Sequence, residues 1–113
     1  MIENTDHDIF IRLRIVGISL RSIREYQKRM PNIQIDYQKR EHGRGQVALI
    51  DITSEEICTT IADVLKTHPL SVPFAVCISI ITEWDHDGLT VPPYVCDFMR
   101  SIGGTLDFHF ISL

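Results

Sequence analysis

The chain has 113 residues, 44% of them hydrophobic and 23% charged, enough for one compact domain over 1–113 and too few for two ordinary ones. No apolar run approaches the roughly 20 residues that cross a bilayer, and the start "MIENTDHD" lacks the basic-then-apolar layout of a secretion signal, so the expectation is a soluble cytoplasmic protein. Net charge is −4 but unevenly spread. Residues 1–44 hold nine of the eleven basic and six of the fifteen acidic residues, a net of +3, and residues 45–113 hold two basic and nine acidic, a net of −7. Such a split marks an interaction surface unless folding interleaves the halves.

In chain order, "DIFIRLRIVG" (8–17) alternates, with Ile9, Ile11, Leu13 and Ile15 on one side and Phe10, Arg12 and Arg14 on the other. That is a strand with one buried face, ended by Gly17. "SLRSIREYQKRM" (19–30) reads as a helix capped by Ser19, with an apolar stripe of Leu20, Ile23, Tyr26 or Gln27, and Met30, and a basic face of Arg21, Arg24, Lys28 and Arg29. "NIQIDYQ" (32–38) alternates again, with Ile33, Ile35 and Tyr37 inward, and "QVALIDI" (46–52) returns through a hairpin loop in which Gly43 and Gly45 supply positive φ. Thr53, Ser54, Glu55 and Glu56 form a capping box with Thr53 as the cap. Ile57, Ile61, Val64 and Leu65 stripe the helix that follows.

"PFAVCISIITEW" (73–84) is apolar on both sides and so belongs at the centre of a sheet. "TVPPYVCDFMRSIGG" (90–104) is a third helix, with Val95, Phe98, Met99 and Ile102 as its stripe and a glycine stop. "TLDFHFIS" (105–112) is the last strand, Leu106, Phe108 and Phe110 inward, Asp107 and His109 outward. The order βαββαβ is the ferredoxin-like plan. A further αβ unit adds a fifth strand, parallel to 73–84 and beside it. The expected fold is α+β, a mixed five-stranded sheet with helices on one face. Its other face would show Arg12, Arg14, Gln34, Asp36, Ser79, Glu83, Asp107 and His109.

The stretch "EWDHDG" (83–88) offers half of a calcium loop: Glu83, Asp85, Asp87 and Gly88 fit, but the bidentate Glu expected at position twelve falls on Tyr94. Five histidines and three cysteines are scattered without ligand or disulfide spacing. No catalytic pattern stands out, so the expectation is a protein that is not an enzyme and carries no cofactor or metal. The ferredoxin-like plan is shared by the RRM, which stacks bases on aromatics of its middle strands. Here "IFI" (9–11) and Arg44-Gly45 match, but Gln46, Ala48 and Asp51 stand where aromatics belong. A nucleic-acid module using the basic N-terminal half is therefore the alternative reading.

The C-terminal third, "FAVCISIITEWD" leading through "VPPYVCDFMRSIGGTLDFHF", resembles the ending of small bacterial domains found as immunity proteins of polymorphic toxins, including those of contact-dependent growth inhibition. The resemblance implies a cytosolic, non-enzymatic protein that binds the toxic C-terminal domain of a large secreted toxin, commonly a nuclease, and blocks it. It transfers no residue-level site. From the residues themselves, the expected partner-binding surface is acidic and aromatic: Glu83, Trp84, Asp85, His86, Asp87, Asp97, Asp107 and His109.

Overall fold

A computed structural model of the chain describes residues 7–82 and 91–112. Among them lie strands β1 (His7–Ile18), β2 (Asp36–Lys39), β3 (Gln46–Asp51), β4 (Phe74–Thr82) and β5 (Thr105–Ser112), and helices α1 (Leu20–Arg29), α2 (Glu55–Thr67) and α3 (Pro93–Ile102). The sheet order is β2-β3-β1-β4-β5. Every neighbouring pair is antiparallel except β4 and β5, which run parallel. The fold is therefore α+β, the ferredoxin-like order with a fifth strand added beyond β4.

The alternation in β1 decides what is buried. Leu13 and Ile15 face the helices and are buried, as are their register partners Ile50 and Ala48 on β3 and Val76 on β4. Ile23 and Met30 of α1, Cys58 and Ile61 of α2, and Val95 and Phe98 of α3 close the core from above. The residues between them, Arg12, Arg14, Leu49, Asp51, Cys77 and Asp107, lie on the uncovered face by the two-residue period of a strand.

Several details depart from the sequence-based expectation, among them the exposure of Ile9 (39%) and Leu20 (37%). The strand expected over 32–38 begins only at Asp36, because Gln27 claims the preceding backbone. Its Nε2 donates to the carbonyls of Met30 (3.0 Å) and Ile33 (2.6 Å), and its Oε1 accepts from the Ile35 amide (3.3 Å). Ile33 and Ile35 are still buried, but Tyr37 is exposed rather than inward. The cap of α2 is Ser54, whose Oγ accepts from the Ile57 amide, and not Thr53. The Ile52 amide still donates to the Ile11 carbonyl, and α2 starts one residue later than the capping box suggested.

Gly17 does not end β1. It takes φ +85° at a register shift between Val16 and Ile18, and the strand continues. Gly45 (φ +81°) sits against it so closely that a Cβ there would lie 2.6 Å from the Gly17 carbonyl carbon and oxygen. Lastly, Leu106 and Phe108 share the helix-side register of Val76 and Ile78, yet they are 48% and 51% exposed. β5 is the outermost strand, and the helix layer leaves these two half uncovered. Gly103 behaves as expected, closing α3 in the left-handed conformation at φ +68°.

Candidate functional site

The residues expected to bind a partner fall in three places. Glu83, Trp84, Asp85, His86 and Asp87 lie outside the described residues. Asp97 is on the second turn of α3, and its carboxylate is 71% exposed. Asp107 is on β5, on the sheet face away from the helices, and His109 stands opposite Ser79 in the β4–β5 register. Asp97 and Asp107 are thus in different layers and do not share one patch.

On the open sheet face both arginines among the described residues are ion-paired. Arg12 and Asp51 are direct register partners on β1 and β3, and Arg12 Nε donates to Asp51 Oδ1 at 2.9 Å. Arg14 reaches across β4, its Nη2 donating to Asp107 Oδ2 at 2.8 Å. Both side chains of that pair are 39% exposed, which holds such a pair to about 1 kcal/mol or less. Cys77 lies beneath the bridge. Burial pushes its thiol up, Arg14 pulls it down and Asp107 adds to the rise. Phe10, 45% exposed, is an exposed aromatic on this face. Among the described residues this face offers one exposed aromatic and two paired arginines, short of the stacking platform an RRM uses.

On the helix side, α2 and α3 lie side by side with a groove of about 210 Å³ between them. Glu55, Cys58, Thr59, Ala62 and Asp63 line one wall, and Tyr94, Asp97, Phe98 and Ser101 the other. The α2 wall follows from helical spacing, since positions 55, 59, 62 and 63 fall on one stripe. Among the described residues no cation lies within ion-pairing distance of Glu55 or Asp63. Asp97 meets only Arg100, at 3.4 Å in a highly exposed pair. The groove therefore presents three carboxylates and an aromatic ring to solvent. Its floor is apolar. Cys58 is buried there, and burial, with Glu55 adding to it, pushes its thiol up to about 11. A thiol held so far up is a poor nucleophile at neutral pH.

The charge split of the sequence survives folding on the helix side, whereas on the sheet the two halves pair. α1 exposes Arg21, Arg24, Lys28 and Arg29, while the α2–α3 groove is acidic. A smaller cleft beside α1 is lined by Arg21, Glu25, Tyr26, Arg29 and His68. There the Tyr26 hydroxyl donates to the His68 carbonyl at 2.7 Å, and burial raises its pKa against the lowering effect of Arg29. Among the described residues no three His, Cys, Asp or Glu side chains converge as metal ligands, and no helix is long and apolar enough to cross a membrane.

Sequence reasoning named Asp97 and Asp107 but not Glu55 or Asp63, which stand across the groove from Asp97. The signal was available: the parallel unit β4–α3–β5 puts α3 beside α2, which brings the outward stripes of the two helices together. Compared with protein-family models, curated proteins and solved structures, the chain has no match in any of the three.

Proposed function

We infer that this chain is a protein-binding domain of the toxin-immunity type, which neutralises the toxic C-terminal domain of a secreted bacterial toxin by covering its active site or substrate groove. The observation that carries this reading is the acid-lined groove between α2 and α3, with Glu55, Asp63 and Asp97 around Tyr94. A nuclease offers basic residues to its nucleic-acid substrate, and an inhibitor answers them with a preformed acidic surface. Carboxylates on two rigid helices are held in place before binding, which lowers the ordering cost of association. The acidic stretch 83–87, expected from the sequence to bind the partner, precedes α3 along the chain and lies outside the described residues. No chemistry is asked of the inhibitor, since occlusion needs only complementarity.

The nucleic-acid alternative draws support from the four exposed cations of α1, and less from the sheet face, where Arg12 and Arg14 are already ion-paired.

The test is co-expression in bacteria with the toxic domain encoded immediately upstream, followed by gel filtration of the pair. Restored growth together with co-elution is the expected result. Continued killing, or separate elution, sinks the reading. A salt-sensitive RNA shift lost on changing Arg21, Arg24 and Lys28 would install the alternative.

A further inference from the structure

The two edges of the sheet are built differently. β2 is four residues long, exposed throughout, and carries Asp36 and Lys39. Shortness and charge are two of the devices by which proteins keep an edge from pairing with another chain. β5 has neither in the same measure. It runs eight residues, Thr105–Ser112, as "TLDFHFIS", with no proline and no lysine. Among the described strands nothing pairs with its outer side. Its single acid, Asp107, is tied to Arg14, and Leu106 and Phe108 are half exposed beside it.

The sequence of β5 is also complementary to itself. In an antiparallel pairing of two copies centred on Phe108, each Leu106 stands opposite Phe110 of the second copy, and each Asp107 opposite its His109. Phe108 meets its own counterpart on the two-fold axis. Opposed positions share a face, so this register sets apolar residue types against apolar ones on one face and an acid position against a histidine position on the other. Shifting the centre by one residue breaks this match. Centred on Asp107, the two carboxylates collide; centred on His109, Asp107 faces Ile111.

We propose that β5 is a homodimerisation edge, joining two copies antiparallel about Phe108 into one continuous ten-stranded sheet. The interface is isologous, as a two-fold pairing requires. It leaves the α2–α3 groove free and stands whether or not the immunity reading holds.

The test combines sedimentation of the unaltered chain with site-directed crosslinking. Cys96 is exposed, so the crosslinking variants carry C96S. In the proposed register the two 108 positions are direct neighbours across the axis, within the reach of a disulfide. The two 106 positions are four residues out of register, about 13 Å apart along the strand and beyond that reach.

The expected results are a species of twice 13.0 kDa in the unaltered chain and a disulfide-linked dimer from F108C that forms at least about tenfold faster than from L106C. A monomer at every concentration that stays in solution overturns the proposal. Equal crosslinking of the two variants overturns it as well, and so does a dimer in which F108C fails to crosslink. Should F108C not fold, sedimentation of Asp107→Lys, which sets two lysines against two histidines, replaces it. Loss of the dimer is then expected, and an unchanged dimer refutes the edge assignment.

Discussion

The α2–α3 groove and the open sheet face carry the same kinds of residue and end with opposite electrostatic character. On the sheet, register sets acids beside bases. Arg12 is the direct cross-strand partner of Asp51, and Arg14 spans β4 to Asp107. In the groove, helical spacing lines up Glu55, Asp63 and Asp97 with only the loose Asp97–Arg100 pair among them. A carboxylate already held at 2.8 Å by a guanidinium has little field left for a partner, whereas an exposed one can steer and hold a basic protein. Counting acids along a sequence does not separate the two cases, because the difference lies in which element each acid sits on.

The largest test of this contrast is one of packing. Phe98 is buried beneath the groove and Phe10 is exposed on the sheet. Phe98→Ala should cost about 3–5 kcal/mol by urea unfolding, while Phe10→Ala should cost under about 1 kcal/mol. Similar losses would mean that the sheet face is covered in solution. The thiols sharpen the comparison next. With a disulfide reagent at about pH 8, Cys96 should react first, Cys77 slowly, and Cys58 only at the rate of unfolding.

Cys58 also sets a sign for alkaline stability. Its ordinary value is 9.0 and its folded value about 11, so between them the unfolded chain holds fewer protons than the folded one. Its contribution is complete below about pH 9 and is lost as pH rises toward 11. Cys58→Ser should flatten that decline in a urea series run across this range. The smallest effect belongs to Arg14–Asp107: a double-mutant cycle with Met and Asn should return a coupling of about 1 kcal/mol or less. A much larger value would show the pair to be shielded from water.

Most of the fold was legible because each element has one period and a clear stop. β1 alternates, Ser19 caps α1, Gly103 closes α3, and the parallel placement of β5 follows from a single helical crossover. What was not legible depended on long-range partners. Gln27 holds the backbone of Ile33 and Ile35, which shortens β2, and no local pattern announces that. Leu106 and Phe108 alternate as buried residues do, but burial needs a cover, and the outermost strand has only part of one. For the site, the sequence identified acids and aromatics but could not sort Asp97 into the groove and Asp107 into an ion pair. The stretch 83–88, weighed there as a calcium loop and as a binding loop, lies outside the described residues.

The most direct measurement is the affinity of the toxin domain for two charge variants, Asp97→Lys in the groove and Asp107→Asn on the sheet. Asp97→Lys should weaken binding at least about tenfold, a loss of roughly 1.4 kcal/mol, while Asp107→Asn should leave it unchanged. Equal affinity for Asp97→Lys and the unaltered chain, or a loss confined to Asp107→Asn, would contradict the groove as the binding surface.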